Sequence, residues 1–194
     1  MAPVKRTVFN TPVITPIFRF LARLWLKWAG WKVSAKEVPE PPFVFIAAPH
    51  TSNWDFPYLI AATLVLRIEI HWMGKHTLFT PVTGAIMCWL GGIPVNRTKA
   101  HNMVSRMAER LKTNPSTILC IPPEGTRSKV KEWKSGFYFI ARKAGVPILM
   151  AAIDSERREL KLMGEFIPSG DLDKDLRLIK SHYQDFKGIN PKNF

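Results

Sequence analysis

The chain has 194 residues, 46% of them hydrophobic and seven of them tryptophan, enough to bury one sizeable core; this excludes disorder and leaves little room for two full domains. A formal net charge of +13 calls for an anionic partner, whether nucleic acid, acidic membrane or phosphorylated substrate, and charge alone does not choose among them. Cys88 and Cys120 stand far apart in apolar runs, which argues against a metal knuckle or redox pair and for two buried thiols in a reducing compartment.

Arg19, Arg23 and Lys27 interrupt the first apolar stretch and no small-residue cleavage site follows, so it does not read as a secretory signal. Thr15-Pro16 predicts the N-cap and first residue of a helix running to about Ala29, before Gly30. Ile17, Phe20, Leu21, Leu24, Trp28 and Trp31 share one face, and the three cations form a separate stripe at four-residue spacing. Such a helix either packs on the core with a solvated basic edge or lies on a bilayer. Tryptophans beside cations favour the bilayer, where rings sit at headgroup depth and each cation contributes about 1 kcal/mol against anionic lipid. Residues 1–36 are therefore expected to form a membrane-associating helical segment and residues 37–194 the main α/β domain.

After the Pro-rich Val38 to Pro42, the continuously apolar run Phe43 to Ala48 predicts a strand covered on both faces. Further strands are predicted at Ile68 to Met73, Ile93 to Val95, Thr117 to Ile121 and Pro147 to Ile153. Between them lie helical patterns: an apolar run beginning near Phe56, the spacing of Met103, Met107 and Leu111, and Phe137 to Lys143 ending at Gly145. Strands alternating with helices predict a mostly parallel central sheet flanked by helices. The uncharged stretch His76 to Asn96 is long enough to cross a bilayer, but Pro81, Gly84, Gly91, Gly92 and Pro94 break it. The tail from Asp171 predicts a surface helix and a frayed end.

Two clusters carry chemistry. His50 follows the strand Phe43 to Ala48, and Asp55 falls in the first turn of the next helix, with Ser52 or Asn53 as its cap. Strand ends facing helix N-termini are where α/β sheets bind ligands. A turn between the two residues lets the carboxylate reach an imidazole nitrogen, so that the other nitrogen can take a hydroxyl proton. Pro123-Glu124-Gly125-Thr126-Arg127-Ser128 follows another buried strand and offers a close backbone approach, hydroxyls and a guanidinium fork suited to phosphate. Glu124 is placed to hold Arg127 or another cation, or to accept from a substrate hydroxyl. Arg97, at the end of Gly91 to Asn96, and Lys75, after the strand from Ile68, add cations at the same kind of strand end. Taken alone, each cluster also fits an ordinary capping pair or polar turn; their convergence on one sheet edge is the argument. His71, His76 and His101 match no ligand spacing, and no metal is expected.

In order, His50 with Asp55, Gly92 to Arg97, Pro123 to Ser128 and Val146-Pro147-Ile148 resemble the four motifs of the glycerophospholipid acyltransferases, 1-acylglycerol-3-phosphate acyltransferases among them. The resemblance covers roughly Phe43 to Ile153, with departures at Asn96, where an Asp is frequent, and at Pro122. It implies His50 as base and Asp55 as its orienting group. It also implies an acceptor site of Arg97, Glu124, Gly125, Thr126 and Arg127, with Lys75 as a looser second phosphate contact. The donor it implies is acyl-CoA or acyl carrier protein, with no other cofactor, and the acceptor a lysophospholipid or glycerol phosphate. With the basic helix, this points to an anionic membrane at its cytoplasmic face and no nucleic acid. The rival readings are a non-catalytic basic membrane- or nucleic-acid-binding module, and a lipid ester hydrolase using the same base on water.

Overall fold

A computed structural model describes residues 6–96 and 102–194. A seven-stranded sheet in the order β1-β7-β6-β2-β5-β3-β4 forms the middle of the molecule. Its strands are β1 (Lys32–Ala35), β2 (Phe43–Ala48), β3 (Ile70–Lys75), β4 (Gly92–Val95), β5 (Ile118–Ile121), β6 (Ile148–Asp154) and β7 (Glu159–Phe166). β2 to β6 are mutually parallel, β7 returns antiparallel to β6, and β1 pairs parallel to β7. The predicted mostly parallel α/β sheet is therefore present.

Because side chains alternate along each strand, the sheet feeds two cores. Phe43, Phe45, Ile70, Trp72, Cys120, Leu149 and Ala151 point to one face, where they meet α1 (Ile14–Trp28) and α2 (Asp55–Leu66). Val44, Ile46, Ala48, Leu119, Ile148 and Met150 point to the other, where α4 (Met103–Thr113), α5 (Gly136–Ala144) and α6 (Leu172–Ser181) cover them. β2 and β6 are apolar at nearly every position because both their faces are covered. Gly145 ends α5 in the left-handed conformation, as its position after the apolar pattern predicts.

The structure corrects several expectations. α1 starts one residue before Thr15, whose hydroxyl turns inward to the carbonyls of Val8 and Thr11 and does not cap the helix. α1 packs on α2 through Ala22 and Leu26, with Trp25 stacked on Tyr58, so the predicted apolar face looks outward. Ile17, Phe20, Leu21 and Leu24 are exposed and Trp28 is 86% exposed, whereas Trp31 leaves that face and packs beside Tyr58. The basic stripe also divides, since Arg19 Nε donates to the carbonyl of Leu64 at the end of α2. Cys120 is fully buried, which pushes its thiol up to about 12, but Cys88 is only half-buried, in the short helix α3 (Gly84–Trp89).

The tail differs most. α6 is capped by Asp171, whose side chain accepts from Lys174 N, and it buries Asp175 and Ile179. Asp175 accepts from Tyr138, from the hydroxyl of Ser169 and from its N–H. Residues 183–194 then continue past the carboxyl ends of β2 and β6, bonded to Thr51 and Ser155. The frayed end expected from the density of charges is thus fastened by main-chain and side-chain bonds. Among the described residues no helix is long and apolar enough to cross a membrane.

Candidate active site

The loop after β2 brings His50 and Asp55 together as predicted, although by a different local device. The N-cap of α2 is Trp54, with no side-chain cap, and Asp55 folds back over the loop. Its Oδ2 accepts from Thr51 N at 2.6 Å and Ser52 N at 2.8 Å, and lies 3.0 Å from His50 Nδ1. One carboxylate oxygen therefore closes the turn and orients the imidazole together. With Nδ1 engaged, Nε2 is the nitrogen left for proton transfer, and the His50 side chain is 27% exposed at the cavity mouth. Asp55 itself is buried, and its Oδ1 has no hydrogen-bond partner among the described residues.

Glu124 is 3% exposed and takes a third role beyond the two expected of it: its Oε1 accepts from the backbone N–H of His50 at 2.9 Å. Burial raises the Glu124 pKa despite that bond, and its Oε2 has no partner among the described residues. Below lies the phenol of Tyr183, fully buried, pushed well above the ordinary tyrosine value by burial and then by the Glu124 carboxylate. Sequence reasoning missed Tyr183, because an aromatic among the charges of the tail gave no signal of burial beside Glu124.

A cavity of about 520 Å³ opens at His50 and passes between α2 and the sheet. Its inner wall is apolar: Phe45, Leu59, Ala62, Trp72, Ala151, Ile153, Leu160 and Leu162 line it. Its rim is polar, with His50, Ser52, Lys75, Gly125, Thr126 and Arg127. Gly125 takes φ 67° in the turn after β5, a left-handed conformation that glycine adopts without strain. Lys75 and Arg127 are both exposed and line the same cavity as His50. The predicted Arg97 lies outside the described residues, as does His101. Gly74 and Gly92 serve packing here: a Cβ on Gly92 would come within 2.8 Å of the Trp72 ring and 2.9 Å of the Phe79 ring.

A polar rim with an oriented base, continuous with an apolar cavity, can hold an amphiphile with a reacting carbonyl at His50. Burial, and then Arg110, lower the pKa of His71, whose Nδ1 is also buried, and the residue is outside the cavity lining. Among the described residues no group of three or more His, Cys, Asp or Glu is arranged to hold a metal ion.

The chain is similar to known proteins in both sequence and fold. The chain is 29% identical to the 1-acyl-sn-glycerol-3-phosphate acyltransferase of Haemophilus influenzae over 120 residues, 58% of this chain and 48% of that protein. It is 28% identical to the enzyme of the same name from Escherichia coli over 122 residues, 59% of this chain and 48% of the relative. The chain thus spans about half the length of the curated relatives it matches. Its fold is similar to the crystal structure of the 1-acyl-sn-glycerophosphate (LPA) acyltransferase PlsC from Thermotoga maritima, with a TM-score of 0.61 and 21% identity over 87% of this chain and 76% of that one. Residues 30–154, from just before β1 to the end of β6, match the acyltransferase family model, and that span contains His50, Asp55 and the Glu124-to-Arg127 turn. The chain belongs to the acyltransferase family.

Proposed function

We propose that the protein moves a fatty acyl group from a thioester of CoA or acyl carrier protein to a hydroxyl of a glycerol-phosphate-type acceptor such as 1-acylglycerol 3-phosphate, in phospholipid synthesis. The observation that carries this reading is the position of His50, held by Asp55 at the point where the polar rim meets the apolar cavity. The acyl chain occupies the cavity, and the acceptor's phosphate meets Arg127, with Lys75 across the rim and Arg97 as a further contact. Gly125 and Thr126 offer a main-chain approach and a hydroxyl beside it. Glu124 acts by fixing the His50 main chain.

In the proposed step, His50 Nε2 takes the proton of the acceptor hydroxyl as that oxygen attacks the thioester carbonyl. The carbon–sulfur bond then breaks, and the departing thiolate takes the proton back from the imidazolium. No acyl-enzyme forms, and no cofactor beyond the donor takes part. General-base help supplies about 10² to 10⁴ in rate, and holding the two substrates together supplies much of the rest.

The outward apolar face of α1 supports a membrane site of action; that this is the cytoplasmic face belongs to the same proposal. Isoleucine, phenylalanine, leucine and tryptophan side chains stand exposed there beside Arg23 and Lys27, the chemistry of a helix lying in an anionic interface. Thiol release from long-chain acyl-CoA, in the presence of vesicles and a panel of lysolipid and glycerol-phosphate acceptors, tests the reading. Acceptor-dependent release that disappears in His50→Ala supports it. Release of free fatty acid without acceptor consumption would instead make the protein a hydrolase.

A further inference from the structure

The segment after α6 reaches the loop after β2 at Thr51 through two hydrogen bonds and a close packing contact that also includes Pro49. The backbone N–H of Asn190 donates to Thr51 Oγ1 at 3.0 Å, and Asn193 Nδ2 donates to the Thr51 carbonyl at 3.1 Å. Gly188 is buried against the same side chain: a Cβ there would strike Thr51 Oγ1 and stand 2.6 Å from its Cγ2 and 3.1 Å from Pro49 Cβ. The segment is in turn fixed to the end of β6. Ser155 N donates to the Lys187 carbonyl at 2.8 Å and Ser155 Oγ to the Gly188 carbonyl at 2.7 Å.

We propose that residues 187–193 form a positioning strap for the His50–Asp55 pair, with Thr51 as the residue through which it acts. The peptide group joining Thr51 to Ser52 is held at both ends, its oxygen by Asn193 and its N–H by Asp55 Oδ2. A donor on the carbonyl polarises the peptide and strengthens the opposite N–H as a donor. Thr51 N donates to the same Oδ2 at 2.6 Å. The oxygen that orients the imidazole is thus located by two N–H groups whose own positions are set from the strap side. Without the strap, Thr51 keeps its sequence neighbours but loses both bonds that fix its carbonyl and hydroxyl, and the carboxylate gains freedom to turn from Nδ1.

The inference rests on the acyl-transfer reading for its kinetic test only. Asn193→Ala and Thr51→Val each remove one strap bond, the second at nearly constant side-chain volume, and Thr51→Ser keeps the hydroxyl. The expected result is a fall in kcat of about ten- to a hundredfold with acceptor KM within about twofold of the parent protein, recovery in Thr51→Ser, and faster amide exchange across residues 50–55 at unchanged Tm. Gly188→Ala adds a steric break; should it fail to fold, the other two variants carry the test. Parent-like kcat together with parent-like exchange in Asn193→Ala and Thr51→Val would overturn the strap, as would a change in acceptor KM alone, which would make the segment part of the substrate site. If the parent protein transfers no acyl group, that reading fails, and exchange across residues 50–55 alone decides the strap.

Discussion

The main-chain N–H of His50 and the buried carboxylate of Glu124 form a 2.9 Å hydrogen bond that joins the loop after β2 to the turn after β5. The two motifs, 74 residues apart in sequence, are therefore one mechanical unit before any substrate arrives. Glutamine at position 124 keeps an acceptor for this N–H, whereas alanine leaves a buried donor unpartnered at a cost of about 1–3 kcal/mol. Glu124→Gln is expected to fold and retain most of its turnover; Glu124→Ala should lose both Tm and kcat, as thermal melts and initial rates would register. If glutamine abolished activity with Tm unchanged, the carboxylate would be acting on substrate.

The same residue sets a pH dependence. Burial raises the Glu124 pKa in the folded state, so between the ordinary glutamate value and the raised one the native protein holds a proton that the unfolded chain releases. Stability from this group accordingly falls as pH rises through that window. Glu124→Gln removes the dependence, and its Tm relative to the parent protein should become more favourable as pH increases. A Tm difference that ran the other way with pH would show the native carboxylate to be favourably ionised.

Asp55→Asn can still accept from Thr51 N and Ser52 N but carries no charge to stabilise the imidazolium. A kcat loss on the order of 10² to 10⁴ with acceptor KM little changed is expected from steady-state kinetics. An equal loss through KM would place Asp55 in acceptor binding.

The exposed face of α1 is expected to carry vesicle binding. Replacing Phe20, Leu24 and Trp28 by serine should release the protein from anionic vesicles in a flotation assay and leave Tm within a degree or two, since these side chains contact little of the core. Retained binding would move the contact to another surface.

Ala151, on the cavity wall between α2 and the sheet, is small where a larger side chain would project into the cavity. Ala151→Leu should shift the preferred donor to shorter chains in a competition among acyl-CoAs, while the rate with the shortest donor is kept. An unchanged chain-length profile would mean that the acyl chain lies elsewhere.

The sequence made the sheet's inner strands legible because β2, β5 and β6 are continuously apolar and bounded by turn residues. It made His50 and Asp55 legible through their place between a strand and a helix. β1 and β7 escaped notice: β1 is a four-residue edge strand, and β7 alternates Leu160 and Leu162 with charged residues, a weak signal beside an arginine-rich turn. Glu124 was found, but its partner was not, because a bond from a backbone N–H 74 residues away leaves no trace in residue type. The role of Thr51 was hidden for the same reason, since all of its strap contacts come from residues near position 190.

β2 is the fourth strand of seven, flanked by β6 on one side and β5 on the other. Paired on both sides, its amides are expected to be among the last in the molecule to exchange with solvent. His50 lies two residues beyond this strand, whereas Lys75 ends β3, with only β4 outside it. Opening of the β3–β4 margin is therefore expected to cost less than opening at β2, which puts the Lys75 side of the cavity and the imidazole in regions of different local stability.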